Sequence, residues 1–512
     1  MTELVRDDHG TSSRRPVTDR RRRRRPASFT SALLLTVVGA LVPGLGLLAA
    51  GRRRLGAAVL TVTVALLAVT AWIGLTQRRS VLHWLVQPDT LRLIGIVLPV
   101  IGLAWMVVIV LTYRSLRPWN VSPLQRILGS ALVTLLVLVV LTPLAVGGRY
   151  AQVQRGVVQD VFAGSHSRSA TRPKNVTAAD PWAGQDRVNV LLLGGDGGKD
   201  RAGIRPDSIQ VASIDTHTGN TVLFSLPRNL EKVPFPPGSS LAKAYKGGVY
   251  AGPGDQLEWM INSIYRNVPA QHPGLLDSDN PGADATKLAV GQALGLKLDY
   301  YVLINLQGFE QLVNALGGIT VNINERVAIG GATDEGIKPS GYLHPGPNQH
   351  LDGYHALWFA RGRYGADDYQ RMLRQRCAMK AIIDQANPGT VLTRYEAIAK
   401  TSKHIVLTDI PSSLLPAFVD LSMRVKGGDV KSIAFTNKII KPWDPDYKLI
   451  HKRVSTAITA SEKAPPTKKP AIPKDNPNKT AKPTPTPTGS ATPDPNAPAD
   501  SLADACAYRP VK

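Results

Sequence analysis

With 512 residues the chain is long enough for more than one domain, and 61 Lys and Arg against 38 Asp and Glu leave a formal net charge of +23. Much of that excess is local, in the arginine run at residues 20–25 and in lysines of a proline-rich tail; with no base-reading helix beside it, this pattern excludes nucleic acid as the partner. The two cysteines, Cys377 and Cys506, form no CxxC or Cys/His pattern, which excludes a zinc site of the usual spacing.

Residues 1–28 are polar and arginine-rich and read as a disordered, basic cytoplasmic tail. Four apolar segments follow, at residues 30–50, 55–76, 93–113 and 127–146, each close to the length that crosses a bilayer. Residues 29–148 are therefore expected to be an α-helical transmembrane region, and the close succession of segments argues against a cleaved secretion signal. Four crossings from a cytoplasmic N-terminus would put Arg52, Arg53 and Arg54 outside, against the basic bias of cytoplasmic loops. Pro43, Gly44 and Gly46 interrupt the first segment, so the favoured topology lets it dip in and return. Three crossings then remain, with Arg114, Arg117 and Arg126 also inside; four crossings with the N-tail outside is the alternative. Residues 149–185 read as a juxtamembrane helix and a Ser-, Thr- and Arg-rich linker.

Residues 187–230 carry the first concentration of chemistry. Three short apolar runs, 188–193, 208–214 and 221–226, read as strands, the last two joined by a hairpin turn. If those two are antiparallel, Arg205 and Asp207 before one and Arg228 after the other meet at one sheet edge. A first strand parallel to the third would bring Asp196 there too. Arginine forks suit phosphate oxygens, and carboxylates among them suit a hard cation such as magnesium. The bland reading is a surface ion pair beside a glycine-rich turn.

Helices are expected at residues 254–265, 283–294 and 308–318, and strands at 297–306, 319–327 and 431–440, which argues for an α/β or α+β domain. A second concentration lies at residues 349–386, with a helix ending at Arg361 and another capped by Asp367 or Asp368. On the second helix Arg371, Arg374, Gln375 and Ala378 share a face, which beside Arg361 and Arg363 makes a phosphate cradle or, on the bland reading, a solvated face. Residues 459–500 form a Pro-, Thr- and Lys-rich linker that buries no core, and residues 501–512 a tail holding Cys506. Outside the membrane Cys506 can bond back to Cys377; two unrelated thiols are the alternative.

Taken together, LLLGGD, RPDS, SLPRN, GFEQLVNALGGITV, HLDGYHALWFARGR and DDYQRMLRQR resemble, in order, the motifs of the LytR-CpsA-Psr family. The resemblance covers about residues 187–386, with weaker support to about residue 458. It implies an extracytoplasmic catalytic domain over residues 186–458, an α-β-α sandwich with a mixed central sheet, on the outer face of the plasma membrane. It implies a phosphotransferase that moves a glycan phosphate from a polyprenyl pyrophosphate carrier, whose lipid lies in an apolar tunnel, onto peptidoglycan. By the same resemblance Asp196 and Asp207 would hold magnesium (or manganese), and Arg205, Arg228, Arg361, Arg363, Arg371 and Gln375 would bind the pyrophosphate. Arg228, Arg361, Arg363 and Asp207 are the catalytic candidates, with Asp368 and Arg374 in support. One departure stands out: Asn229 follows Arg228 where the family often has aspartate. A pyrophosphatase and a non-catalytic, lipid-carrier-binding or regulatory membrane protein are the alternative functions.

Overall fold

The computed structural model describes residues 28–164, 167–177, 179–195, 204–333, 335–386, 406–464 and 498–510. The chain divides into two compact units, residues 1–78 with 94–149, and residues 79–93 with 150–512.

Helices α1 (Phe29–Leu41) and α2 (Leu45–Ala49) share the first apolar segment. The break falls where Gly44 takes a φ of 104°, and a Cβ there would lie 2.6 Å from the carbonyl oxygen of Gly56. At 1.5 Å per residue, α1 is about 20 Å long, short of the ~30 Å of a bilayer core. Helix α3 (Arg53–Thr76) follows, then α4 (Arg78–Trp84), α5 (Pro88–Leu116) and α6 (Pro123–Val161). Among the described residues, three helices, α3, α5 and α6, are long and apolar enough to cross a membrane. The expected juxtamembrane helix is the continuation of α6 to Val161.

The second unit is built on strands β1 (Arg187–Gly195), β2 (Pro206–Asp215) and β3 (Thr221–Leu226). A small pair, β4 (Val233–Pro234) with β5 (Val249–Tyr250), flanks helix α7 (Ser240–Ala244). Helices α8 (Ile264–Gln271) and α9 (Pro281–Leu294), strand β6 (Tyr300–Asn305) and helix α10 (Leu306–Leu316) come next. Strands β7 (Ile319–Ile323), β8 (Val327–Ile329), β9 (Gly341–Leu343) and β10 (Gly346–Leu351) lead to helices α11 (Gly353–Arg361) and α12 (Asp368–Gln385). The chain closes with β11 (Val406–Thr408), α13 (Leu415–Gly427), β12 (Val430–Ala434), α14 (Tyr447–Glu462), β13 (Asp500–Ser501) and α15 (Leu502–Ala505).

Seven strands form one mixed sheet in the order β11-β6-β1-β2-β3-β12-β13, with β1/β6 and β3/β12 parallel and the other neighbours antiparallel. Alternate residues of its strands point to opposite faces. Leu191, Leu193, Val211 and Phe224 pack with α8, α9 and α14 into the larger core. The other face, with Leu192 and Val302, lies against α10, α11 and α12. The domain is thus an α/β fold with a mixed central sheet and helices on both faces.

Where boundaries differ from expectation, side chains account for it. Residues 254–265 are not a single helix but two 3₁₀ turns, Gln256–Trp259 and Ile261–Ser263, preceding α8. The Ser263 hydroxyl bonds the carbonyls of Glu258 and Met260, taking acceptors that a continuous helix would use. Strand β6 is shorter than expected because Asn305 caps α10, accepting from the Gly308 amide at 2.7 Å. Strand β12 ends at Ala434, where the chain turns through Thr436, whose carbonyl accepts from the Ile439 amide.

Part of the segment read as linker is tied into this domain by buried charge. Lys287 on α9 is fully buried, with its Nζ 2.9 Å from Asp284 Oδ1 and paired with Asp409 Oδ2. Ser169 joins all three, its one hydroxyl proton shared between Asp284 Oδ1 (3.1 Å) and Asp409 Oδ2 (2.9 Å) while its oxygen accepts from Lys287 at 3.0 Å. The amides of Ala170 and Tyr301 donate to Asp284 and Asp409, so this low-dielectric cluster is well supplied with hydrogen bonds.

At the other end of the chain, β13 pairs with β12, and a Cys377–Cys506 disulfide joins the segment after it to α12.

Candidate active site

Register brings the expected residues to one sheet edge. Gly195 at the end of β1 lies opposite Pro206, and Ile209 on β2 lies opposite Leu226 at the end of β3. Asp207 and Arg228, each two residues beyond that last pair, therefore meet: Arg228 Nη1 donates to Asp207 Oδ1 at 2.7 Å. Asp196 lies outside the described residues, one position past β1.

Helix α12 reaches the same edge with its N-terminus. Asp367 caps it through a capping box with Gln370, which leaves Asp368 in the first turn free to face the sheet. Asp368 Oδ2 accepts from Arg228 Nε at 3.2 Å and lies 3.4 Å from Arg371 Nη2. Arg371 Nη2 in turn donates to the Asp207 carbonyl at 3.4 Å, closing an alternating Asp207–Arg228–Asp368–Arg371 chain between sheet and helix. Arg371 is only 3% exposed, and its Nε has no hydrogen-bond partner among the described residues.

These charges shape one another. Burial alone pushes the Asp207 carboxyl up, but Arg228, Arg371 and Arg363, with the hydrogen bond from Arg228, outweigh it and hold it below its ordinary value of 3.8. Burial lowers Arg228, and Asp207 with Asp368 more than restore it. Arg371 stays below its ordinary value: burial dominates, against the pull of Asp368 and Asp207. A carboxylate with a depressed folded-state pKa adds stability that is present above its unfolded value and lost as pH falls through the folded one. Asp207→Asn is therefore expected to lose stability at neutral pH and to flatten the acid limb of the stability curve below about pH 4. Urea titrations from pH 2 to pH 7 check this, and an acid limb as steep as that of the parent protein would contradict it.

From this edge a cavity of about 240 Å³ runs between the sheet and α10, α11 and α12. Asp207, Arg361, Arg363, Arg371 and Gln375 line it together with apolar residues of the sheet and helices. Along α12 the lining runs from Arg371 and Gln375 to Ala378, Met379 and Ile382, from cationic to apolar over about 16 Å. Leu192, Val302, Ile304, Phe309 and Leu312 complete the apolar stretch. Trp358 supports the guanidinium of Arg361, 5.0 Å from the ring centroid. Arg361, Arg363 and Arg371 thus line the cavity with Asp207, and Arg228 is held beside it by Asp207 and Asp368, at one end of an apolar channel. This suits a multiply charged anion carrying an apolar chain.

Two expected site residues lie elsewhere. Arg205 turns away, donating to the Leu257 carbonyl at 2.7 Å and pairing with Glu258 at 3.3 Å. Arg374 does not share the cavity face with Arg371 and Gln375: buried, it donates to the carbonyls of Phe359 and Gly362 and to Glu325 Oε1 at 3.3 Å. It ties down the end of α11 and so positions Arg361 and Arg363 on either side of Gly362. Sequence reasoning left out Trp358 and Gln210, a buried cavity residue whose Oε1 has no hydrogen-bond partner among the described residues. Alternation along β2 places Gln210 on the same face as Ser208, a signal that could have found it.

Comparison with known proteins supplies the lineage. Residues 157–452, more than half of the chain, match the sequence model of the LytR_cpsA_psr family. The chain belongs to this family. Relatives include the polyisoprenyl-teichoic acid–peptidoglycan teichoic acid transferase TagU of Oceanobacillus iheyensis, 27% identical over 54% of this chain and 75% of that protein. TagU of Bacillus cereus is 26% identical over 51% of this chain and 73% of its own length. Among solved structures the chain is similar to B. subtilis TagV, at 21% identity and a TM-score of 0.38, covering 55% of this chain and 99% of that one. The family match spans both halves of the site, from the β1–β3 edge to α12.

Proposed function

We propose that the protein is a membrane-anchored phosphotransferase that moves a glycopolymer from a polyprenyl pyrophosphate carrier onto peptidoglycan. The observation that carries this reading is the single cavity with arginines at its head and apolar side chains along its length, matched to an anionic head on a lipid chain. The transferases TagU among the relatives support it.

In the reaction, a hydroxyl oxygen of the acceptor sugar attacks the phosphorus that bears the glycan. The new P–O bond forms as the bond to the bridging oxygen breaks, and that oxygen leaves as polyprenyl phosphate. The acceptor proton passes to solvent or to a base on the acceptor side. Charge builds on non-bridging oxygens during the transfer, and Arg361, Arg363, Arg371 and Gln375, which line the cavity, would bind them. Arg371 Nε supplies a donor that no group among the described residues uses. Asp207 and Asp368 act as positioning residues by fixing Arg228 and Arg371. Among the described residues no cluster of three metal-ligand side chains occurs. Asp207 nevertheless suits a cation of the magnesium type, which commonly takes one or two carboxylates and completes its shell with substrate phosphates and water. We assign that cation, magnesium or manganese, to Asp207 and Asp196; when bound it would neutralise phosphate charge.

We propose that the catalytic domain lies outside the cell, with α3, α5 and α6 as crossings and the basic clusters inside, which the length and apolar character of these helices support. Protease added to intact, wall-stripped cells should then degrade the domain and spare an N-terminal tag; loss of the tag would refute this arrangement.

The function is tested with full-length protein in nanodiscs, magnesium, labelled polyprenyl-pyrophosphoryl glycan and peptidoglycan. Label in the wall material is the expected result. Free glycan phosphate would instead identify a pyrophosphatase, and intact carrier a binding protein, and either would overturn the proposal.

A further inference from the structure

The segment at residues 498–510 has no part in the reaction so far, and it lies beyond residue 452, where the family match ends. It is nonetheless firmly seated. Besides β13 pairing with β12, Asn322 Nδ2 donates to the Cys506 carbonyl at 3.0 Å and Asn324 Nδ2 to the Ala507 carbonyl at 3.1 Å. The Arg509 amide donates to Asn324 Oδ1 at 2.7 Å. Leu502 is fully buried in one cluster with Ala212 and Leu223 on the sheet, and Leu192 and Met379 pack against that cluster. Leu192 and Met379 are themselves cavity walls. Cys506 belongs to the same cluster, and its disulfide partner Cys377 precedes Met379 by two residues on α12.

We propose that this C-terminal strap is a specificity element: Leu502, pinned by the Cys377–Cys506 disulfide, backs Leu192 and Met379 and so sets the width of chain that the cavity accepts. The inference rests on the reading of the cavity as the site of the carrier's prenyl chain. A wall is only as rigid as what stands behind it. Met379 is unbranched and flexible and would move into space vacated by Leu502, so the channel would lose its fit to a methyl-branched chain. The site for the anionic head, built from other residues, would be unaffected.

The test measures binding of three probes to the full-length protein in detergent: farnesyl pyrophosphate, dodecyl pyrophosphate with the same backbone length but no methyl branches, and inorganic pyrophosphate. Leu502→Ala is expected to lower the preference for the branched over the unbranched chain by about tenfold, the scale on which apolar pockets distinguish methyl-sized differences. Binding of inorganic pyrophosphate should stay within about twofold. Leu502→Met, of similar volume, should retain the preference, and the Cys377→Ser/Cys506→Ser pair should lower it in the same direction as Leu502→Ala. If Leu502→Ala does not fold, the cysteine pair and reduced parent protein carry the measurement. A preference kept within about twofold in folded variants would overturn the strap's role while leaving the cavity assignment intact. A parent protein that binds neither chain better than inorganic pyrophosphate would overturn both.

Discussion

Arg371→Ala is expected to reduce transfer by about a hundredfold to a thousandfold, the usual cost of removing one preorganised donor from a developing negative charge. Three features single out this arginine. It is buried, it lines the cavity, and its Nε is not used by any other group among the described residues. Its remaining contacts, to Asp368 and the Asp207 carbonyl, aim the fork and are not strong bonds in themselves. The loss should appear mainly in kcat, because Arg361 and Arg363 still hold the head of the carrier in the ground state. Arg371→Lys should recover little, since an ammonium is a point charge without the planar fork. Steady-state kinetics with labelled carrier decide the matter; a kcat within about threefold of the parent value for Arg371→Ala would remove this residue from the reaction.

Lys287→Met is the substitution expected to cost most stability. Methionine fills a similar volume but leaves Asp284 and Asp409 buried with no cation between them, and breaking a buried ion cluster from one side costs about 3–5 kcal/mol. In a domain of this size that corresponds to a fall in Tm on the order of 10 °C. Protease sensitivity near Ser169 should rise with it, because Ser169 and Ala170 bond to the same carboxylates. Differential scanning fluorimetry with limited proteolysis measures both effects. A Tm within about 2 °C of the parent would show that the cluster contributes little.

The sheet edge was legible in the sequence because strands announce themselves locally. Residues 221–226 are an apolar run bounded by turn residues, and β3 occupies those positions. With β2 antiparallel to it, Asp207 and Arg228 had to meet. Helix α12 was legible through its cap and its spacing of four between Arg371 and Gln375. What remained hidden was decided by groups distant in sequence. Glu258 and the Leu257 carbonyl draw Arg205 aside, and no local pattern marks them. Arg374 sits beside Arg371 and Gln375 on a helical wheel, yet the carbonyls of Phe359 and Gly362 claim it. Asp368, expected only as a cap or supporting residue, joins Arg228 to Arg371. That also bears on Asn229: Asp207 and Asp368 already pair with Arg228, so the missing family aspartate is not needed as its ion-pair partner. The apolar lining was hidden for a different reason. Leu192, Val302 and Met379 look like any core residues, and only the space between them sets them apart.

The central claim is that the arginine cluster and the apolar cavity form one site for one amphiphile. The most direct test is a structure of the protein with a bound prenyl pyrophosphate. The pyrophosphate should lie within hydrogen-bonding distance of Arg361, Arg363, Arg371 and Gln375, with its chain running past Leu192 and Met379 toward Ile382. A pyrophosphate bound away from these arginines, or a chain lying outside the cavity, would contradict the account.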